Sequence, residues 1–432
     1  MCDGANVVLD IEKMSPTNCL ASRPGYMCDE KPIWYSYSPG SLSANCSKTA
    51  AFTSDKFPND HLKDMLASFQ GSADPGASAP AAQYAGGADG SVDAAAPVTL
   101  LVARERGEHA NLFHASTDFL NILFTLHAAG VIDATRVDNR RGMDGVQLLL
   151  LDEQLGPFED AFLRPVFSPR HPILRATALR AAGVRRLRMP RALFVPPGYT
   201  SILFAKGEPL ERFRANNSHG YCEAPGGSRL FRAYRRFVLA GLNLSADGTD
   251  GAGTALAAGP DVGGGAAPPP LRVTLLSRRP YTCDSVEHSY MSRQIANEEE
   301  LLAALRAEPG VNVTLRDFAC RPPREQAAAM AATDVLVAMH GAALMHSVFL
   351  PDGAAVVEML PKPETWRLFE HLARLRGLGY LVWTNPDDST IRRDDRGEYI
   401  TVAVAAVLDA FRAAARSVRA ARAAGPDRAA LG

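Results

Sequence analysis

The chain has 432 residues and a mass of 46.3 kDa, a length that favours two or three domains. Hydrophobic residues make up 47% of it and charged residues 22%, as in a globular protein with a large core. Because 46 basic residues balance 47 acidic ones, the composition argues against a nucleic-acid partner bound through bulk charge. No apolar run approaches the ~18 residues that cross a bilayer, so no transmembrane segment is expected.

Two low-complexity stretches divide the chain. Residues 71–97 are rich in Gly, Ala, Ser and Asp, and residues 246–270 end in Ala-Ala-Pro-Pro-Pro. Neither has apolar periodicity, so we predict a loop and a linker. The predicted organisation is an N-terminal Cys-containing segment (1–70), the loop (71–97), a middle domain (98–245), the linker (246–270) and a C-terminal domain (271–425).

The cysteines are concentrated near the N-terminus. Four of the seven lie within the first 46 residues, and none belongs to a C-x-x-C pair, so zinc ribbons and thioredoxin-like sites are not expected. Two interpretations stay open: the four form two disulfides in an oxidising lumen, or all seven thiols are unpaired and mostly buried.

The sequence also carries signals that bear on its compartment. It has four N-x-S/T sequons, more than composition alone predicts, which favours the secretory pathway. Against this, Met1–Gly4 does not begin a basic and then apolar signal peptide. The sequons lie at Asn45, Asn216, Asn243 and Asn312.

The middle region alternates predicted strands and helices and contains one unusual helix. The helix predicted over residues 110–129 is apolar over much of its surface, yet Asn111, His114, Asp118 and Thr125 fall on one face. His114 and Asp118 are four residues apart, and either is a candidate general base. The alternative is a hydrogen-bonded polar network in the core. Strands are predicted at 98–103, 146–151 and 192–195.

The C-terminal region has the clearest rhythm of strands and helices. Regular alternation predicts a parallel sheet with helices on both faces. In such sheets ligands bind at the carboxyl ends of the strands. Strands are predicted at 271–277, 311–315, 334–339, 355–359 and 380–383, and helices at 297–307, 323–332, 341–349, 363–376 and 401–424.

Two arginines are candidates for binding a phosphate group. Arg278 follows a predicted strand at its carboxyl end, and Arg293 lies just before the next helix. A guanidinium pairs with a phosphate in bidentate fashion, so the two would neutralise a leaving diphosphate without a metal ion. The alternative is that both are solvated surface residues.

A third candidate is the turn after the buried strand at 334–339. His340 ends this strand, and the small residues Gly341 and Ala342 open the next predicted helix. Small residues let a ligand approach the backbone, and a helix N-terminus attracts anions. The alternative is a tight turn with a structural histidine. Glu358 ends the following strand, where it would accept hydrogen bonds from a ribose or sugar hydroxyl or cap a helix.

Several known catalytic motifs are absent from the sequence. It has no G-x-S-x-G elbow, no H-E-x-x-H helix and no Walker loop. It also has no D-x-D pair, the usual metal clamp of one glycosyltransferase architecture. We therefore expect neither a resident cofactor nor a metal site.

At these residues the sequence resembles glycosyltransferase family 61. The resemblance runs from about Arg104 to about Trp383, and several motifs in the same order make it more specific than any one motif. One departure is Ala343, where the family usually has the last glycine of His-Gly-Ala-Gly. The matching pieces are 108–118 (EHANLFHASTD), 230–234 (LFRAY), 238–244, 332–342, 349–358, 372–377 and 380–383.

The resemblance implies an α/β fold of the glycosyltransferase B type, with two Rossmann-like domains and a cleft between them. It implies inverting transfer from a UDP-sugar donor to a glycoprotein or glycan acceptor, in the endoplasmic reticulum or Golgi lumen. We expect N-acetylglucosamine transfer to Ser or Thr of an extracellular EGF-like domain. The alternatives are β-1,2-xylosyl transfer to N-glycans and a non-catalytic sugar-nucleotide-binding relative.

The expected roles follow from these assignments. The C-terminal domain would bind the UDP-sugar, with Arg278 and Arg293 on the diphosphate and Glu358 on the nucleoside. The middle domain would lie on the acceptor side, with Asp118 as the preferred base, held by His114.

Overall fold

The computed structural model describes residues 2–19, 32–45, 60–72, 90–104, 111–134, 139–196, 198, 201–204, 227–246, 268–283, 286–363 and 368–424. The chain forms two compact units, Met1–Phe204 and Ala205–Gly432. Each unit has its own main β-sheet. Within the described ranges, no helix is long and apolar enough to cross a membrane.

The first unit mixes α-helices and β-strands. Its strands are β1 (Cys2–Asp10), β2 (Met14–Thr17), β3 (Trp34–Tyr37), β4 (Leu42–Asn45), β5 (Phe69–Ser72), β6 (Ser91–Asp93), β7 (Val98–Val102), β8 (Val146–Leu150), β9 (Leu174–Arg175) and β10 (Arg186–Phe194). Its α-helices are α1 (Asp60–Ala67), α2 (Leu112–Ala128), α3 (Arg164–Phe167) and α4 (Ala176–Ala181). Short 3₁₀ or π-helical segments cover Ile11–Lys13, Asn139–Gly145, Glu159–Leu163 and Ile202–Phe204.

The main sheet of this unit has strand order β5-β4-β1-β10-β7-β8-β9, with β6 also paired to β10. Strands β10, β7, β8 and β9 are parallel, whereas β1 runs antiparallel to β10. The first residues therefore belong to this sheet, which differs from the prediction of a separate segment over 1–70. The alternation of side chains along β1 explains its place in the sheet, because Val7 and Leu9 are buried on one face.

Part of the predicted loop at 71–97 is also ordered. Strand β6 pairs in parallel with β10, and Ala94 and Ala96 are buried. A short strand next to alanines has little compositional signal, so low complexity concealed it. Most of the predicted linker at 246–270 lies outside the described residues.

The second unit contains strands β11 (Leu271–Leu276), β12 (Tyr281–Cys283), β13 (Val286–His288), β14 (Met291–Ile295), β15 (Val311–Arg316), β16 (Val335–Met339), β17 (Ala355–Leu360), β18 (Gly379–Thr384), β19 (Ile391–Asp394) and β20 (Gly397–Ile400). Its α-helices are α5 (Arg229–Gly241), α6 (Glu298–Arg306), α7 (Pro323–Ala331), α8 (Leu368–Arg376) and α9 (Val404–Ala424), and 3₁₀ segments cover Ala342–Phe349 and Asp388–Thr390.

The main sheet of the second unit is fully parallel and has the order β15-β11-β16-β17-β18. Counted in chain order, these strands run 2-1-3-4-5. This is a doubly wound order whose direction reverses between the first and third strands, β11 and β16. Ligands in such sheets bind at the carboxyl ends of the strands on either side of that reversal. The five strands predicted for this region are confirmed within a residue or two.

The core of this unit explains why the strands read as continuous apolar runs. Alternate residues of β11, β16 and β17 pack against α9, whose Phe411 and Val418 are buried, and against Leu301 and Leu305 of α6. Because side chains alternate across a strand, the intervening positions face the opposite side of the sheet. His340 and Glu358 belong to that opposite side.

Two features of this unit differ from the predictions. Helix α5 falls in the second unit rather than in a domain over 98–245. The Ser228 amide donates to the Leu375 carbonyl at 2.7 Å, and Arg235 Nε donates to the Phe349 carbonyl at 2.8 Å. In addition, the helix predicted at 341–349 is 3₁₀ rather than α.

We expect Phe411→Ala to lower the free energy of unfolding by about 3–5 kcal/mol, because it leaves a cavity between α9 and the sheet. Arg416→Ala on the exposed face of the same helix is the control and should change it by less than about 0.5 kcal/mol. Urea denaturation followed by circular dichroism measures both. Equal effects would mean that α9 does not pack as described.

Candidate functional site

In the first unit, charged side chains gather at the carboxyl ends of the parallel strands. Arg104 follows β7 and Asp152 follows β8; the two are 5% and 0% exposed. Arg104 Nη2 lies 2.6 Å from Asp152 Oδ1. Burial acts to lower the pKa of Arg104, but the charge and hydrogen bond of Asp152, with smaller contributions from Glu159 and Asp118, together raise it. The Arg104 guanidinium therefore stays charged, and its contact with Asp152 supports the fold.

The two predicted base candidates of helix α2 differ in accessibility. Asp118 is 2% exposed and borders a cavity of about 10 Å³, which has room for about one water molecule. Gly198 packs closely against Asp118, since a Cβ at Gly198 would lie 2.9 Å from Asp118 Oδ1. His114 is only half-buried. The cavity is lined by Arg104, Ala115, Asp118, Phe119, Gly156, Phe158 and Leu163.

In the second unit, two arginines lie together at the carboxyl end of β11. Arg278 Nε donates to the Ser292 carbonyl at 3.3 Å, and Arg293 Nε donates to Ser292 Oγ at 3.4 Å. Among the described residues, neither forms an ion pair with a carboxylate, whereas the adjacent Arg279 binds Glu298 at 2.5 Å. Arg278 and Arg293 are thus half-buried cations without an anionic partner among the described residues of this unit.

The electrostatics of the pair reflect this arrangement. Burial first, and then the neighbouring charge of Arg293, lowers the pKa of Arg278 to about 10. Burial also lowers the pKa of Arg293, although Glu398 and Glu358 act in the opposite direction. Both groups stay protonated at neutral pH. Two like charges in a half-buried place favour an anion that bridges them.

Gly341 brings the next strand into contact with this pair. It follows β16, the neighbour of β11, and a Cβ at this position would lie 2.9 Å from Arg278 Cζ. Only glycine leaves room for the guanidinium there. The backbone at Gly341 therefore makes the close approach to Arg278.

A buried hydrogen-bond network fixes the orientation of His340. His340 Nδ1 lies 2.5 Å from Glu358 Oε1, and Tyr380 Oη donates to Glu358 Oε2 at 2.6 Å. Because a carboxylate only accepts, Nδ1 carries the hydrogen and Nε2 is the ring nitrogen left for other partners. The Phe369 ring packs edge-on to the imidazole with centroids 5.4 Å apart.

This network gives Glu358 a different place from the predicted one. The residue is fully buried, and both carboxylate oxygens are engaged by His340 and Tyr380. It therefore orients the histidine instead of contacting a nucleoside directly. The Ala342–Phe349 segment begins after Gly341, and the first amides of such a segment have no partner within the helix.

Sequence reasoning missed Tyr380, Gln294 and Gly397. Tyr380 was only the start of a predicted strand, and it reaches Glu358 because β18 is the parallel neighbour of β17. Gln294 and Gly397 meet through the pairing of β14 with β20. Strand order would have been needed to find them. In the described part of the chain, no group of three or more His, Cys, Asp or Glu side chains has the arrangement of a metal site.

One disulfide lies near this edge of the sheet. Cys283 in β12 is bonded to Cys320 in the turn after β15, with Cα atoms 5.3 Å apart. The two-disulfide interpretation of the N-terminal cysteines did not include this pair. Cys19 is also disulfide-bonded, whereas Cys28 and Cys46 lie outside the described residues.

Comparison with protein families and curated proteins gives a consistent result. A family model described as Glycosyltransferase 61 matches residues 112–357, more than half of the chain. The chain is 35% identical over 176 residues to the EGF domain-specific O-linked N-acetylglucosamine transferase of Rattus norvegicus, and 34% identical over 176 residues to that of Mus musculus. It is 33% identical over 162 residues to the Drosophila melanogaster protein of the same name.

These matches cover part of each protein. They span 40% of this chain and 28% of the rat and mouse relatives, and 37% of this chain and 25% of the fly relative. The similarity thus covers less than a third of each relative's length.

We expect Gly341→Ala to weaken pyrophosphate binding about tenfold, because its methyl group displaces the Arg278 guanidinium. Gly353→Ala is the control. Gly353 has φ 80°, and a Cβ there would lie 3.2 Å from Ala421 Cβ, so the variant is strained but remote from the arginines. Isothermal titration calorimetry measures both. Unchanged affinity in Gly341→Ala would contradict the contact with Arg278.

Proposed function

We propose that this chain, which belongs to glycosyltransferase family 61, is an inverting transferase that uses a UDP-sugar donor. We further propose that the sugar is N-acetylglucosamine and that the acceptor is a Ser or Thr hydroxyl of an EGF-like domain. The printed names of the rat, mouse and fly relatives support this choice of sugar and acceptor.

The observation that carries the proposal is the pair Arg278 and Arg293 at the reversal of strand order. A nucleoside diphosphate leaving group carries several negative charges, and the pair offers two cations with no competing carboxylate partner in the described chain. Cations at the place where charge develops stabilise the transition state. Gly341 allows this approach beside the next strand.

His340 supplies a third polar group at the same edge. Glu358 and Tyr380 hold its ring, so Nε2 faces away from the carboxylate. We assign this nitrogen to hydrogen bonding with the donor. Glu358 and Tyr380 are positioning residues for it.

The reaction then needs one proton transfer and one displacement. A base takes the proton of the acceptor hydroxyl, and the oxygen attacks the anomeric carbon of the sugar. The bond from that carbon to the phosphate oxygen breaks, and UDP leaves with the electron pair. Arg278 and Arg293 stabilise the charge on UDP, which is why we propose that no metal ion is required.

For the base we favour His114 over the initially preferred Asp118. A general base must come within hydrogen-bonding reach of the proton that it removes. Asp118 is 2% exposed beside a cavity that holds about one water molecule, whereas His114 is half-buried. We propose that Asp118 supports the helix near Arg104.

We also propose a lumenal location. The Cys283–Cys320 disulfide supports it, because disulfides persist in oxidising compartments. The sequon residues Asn243 and Asn312 are both exposed, as acceptors of N-linked glycans need to be. We favour catalysis over the alternative of a non-catalytic binding relative, because the printed names of the rat, mouse and fly relatives are those of transferases.

A donor test decides the sugar and the acceptor. The protein is mixed with a folded EGF-like domain and either UDP-N-acetylglucosamine or UDP-xylose, with EDTA present, and the intact mass of the acceptor is measured. We expect an N-acetylhexosamine increment with the first donor alone. Its appearance only when a divalent metal replaces EDTA would contradict the proposed role of the arginines. An increment with xylose would contradict the proposed sugar.

We expect Arg278→Ala to lower kcat/KM for the donor by at least about 100-fold, because it removes a cation from the leaving diphosphate. Arg279→Ala is the matched control: it removes the adjacent arginine, which is bound to Glu298, and should stay within about twofold of the wild type. Initial rates at several donor concentrations give both values. Equal losses in the two variants would refute the diphosphate role.

We expect His114→Ala to lower kcat by about 10²–10⁴-fold, the usual contribution of a general base. Asp118→Asn, which keeps the shape of the buried side chain, should lower it by less than about tenfold. Single-turnover rates and thermal denaturation of both variants separate chemistry from stability. A larger loss in Asp118→Asn with an unchanged melting temperature would make Asp118 the base.

A further inference from the structure

The strand that carries Arg293 contains a β-bulge. Strand β14 pairs in parallel with β20, but Met291 lies opposite Gly397 while Gln294 lies opposite Tyr399. Three steps along β14 therefore match two steps along β20, so one residue is extra. Arg293 lies within this irregularity with φ 61°, in the left-handed region that a non-glycine residue rarely adopts. Such backbone strain occurs most often where function requires it.

Two residues with no role in the reaction hold this bulge. Gln294 is 6% exposed, and its Nε2 donates to the Met291 carbonyl at 3.0 Å and towards the carbonyl of Arg396, in the turn just before β20, at 3.5 Å. Gly397 packs directly against the same place. A Cβ at Gly397 would lie 3.1 Å from the Met291 carbonyl carbon and would also contact the Gln294 amide.

The positions of both arginines in the proposed donor site depend on the backbone of residues 291–293. Arg293 is part of it. Arg278 comes from a different strand, but its Nε donates to the Ser292 carbonyl at 3.3 Å and its Nη2 lies 3.3 Å from Met291 Sδ. Residues 291–293 thus support one guanidinium and carry the other. An ordinary strand would lack the extra residue and place the Arg293 side chain differently.

We propose that the bulge at residues 291–294, locked by Gln294 and Gly397, is the device that positions Arg278 and Arg293 together on the diphosphate of the sugar-nucleotide donor. This inference rests on the proposed function. Gln294 and Gly397 are positioning residues, since they act through the arginines and do not touch the donor. Their effect is specific to the diphosphate and leaves recognition of the nucleoside unchanged.

Binding of UDP and uridine to the full chain tests this specificity. Gln294→Leu removes the amide that holds the Met291 carbonyl, and Gly397→Ala pushes β14 away from β20. In each variant we expect the Kd for UDP to rise about tenfold or more, as when one charge-assisted hydrogen bond is lost. The Kd for uridine, which has no diphosphate, should change by less than about twofold. Saturation-transfer NMR serves for the weaker ligand.

Two controls separate positioning from general loss of stability. Gly310→Ala is a destabilising control, because Gly310 has φ 66° in the left-handed region, but Gly310 lies before β15, at the amino ends of the strands. It should leave the Kd for UDP unchanged. In a background that carries Arg278→Ala and Arg293→Ala, adding Gln294→Leu should weaken UDP binding no further, since the groups that it positions are gone.

The outcomes separate the inference from the function on which it rests. If the wild type binds UDP and Arg278→Ala binds it measurably but more weakly, while Gln294→Leu and Gly397→Ala bind UDP as the wild type does, the function stands and the inference is overturned. If UDP and uridine binding weaken equally in the two variants, the role is structural and the inference also fails. Absence of UDP binding by the wild type would overturn both.

A crystal structure of Gln294→Leu provides a readout that needs no ligand. We expect Arg293 to leave the left-handed region and the Arg278–Ser292 hydrogen bond to break. A structure in which Arg293 keeps φ near 60° and Arg278 keeps its contact with the Ser292 carbonyl would overturn the inference, whatever the binding data show.

Discussion

The second unit is organised around two like charges held close together. Arg278 and Arg293 are half-buried, so each guanidinium has lost part of its contact with water. No carboxylate in the described chain forms an ion pair with either. Such a pair is unfavourable on its own, because burial and mutual repulsion both oppose the charged forms. The fold accepts this cost where a strained backbone, a glycine and a buried histidine network meet.

Strand order explains why these groups meet there. The carboxyl ends of β11 and β16 are neighbours, so Arg278 and Gly341 are in contact although 63 positions separate them in sequence. On the next strand, β17, Glu358 hydrogen-bonds to His340, and on β18 Tyr380 hydrogen-bonds to Glu358. Each successive strand supports the side chain before it. The chain of hydrogen bonds within the site therefore follows the order of the strands in the sheet.

The sequence was sufficient for the parts of this arrangement that depend on local pattern. Buried parallel strands read as apolar runs, and the residues that follow them, Arg278 and His340, were identifiable as edge residues. What depends on pairing between distant segments was not identifiable. The pairing of β14 with β20, which places Gln294 against Gly397, and the antiparallel addition of β1 to the first sheet have no signal in periodicity. Glu358 was recognised as an edge residue, but its burial against Tyr380 required the neighbouring strand.

The disulfide between Cys283 and Cys320 has a practical consequence. It joins the segment after β11, which contains Arg278, to the segment after β15, so two neighbouring loops at the carboxyl edge are tied across 37 residues of chain. A preparation made in a reducing bacterial cytoplasm would keep the parallel sheet, whose strands need no cross-link. The loop that leaves Arg278 would nevertheless lose its tether. Choice of expression host thus determines whether purified material carries the site in the form described.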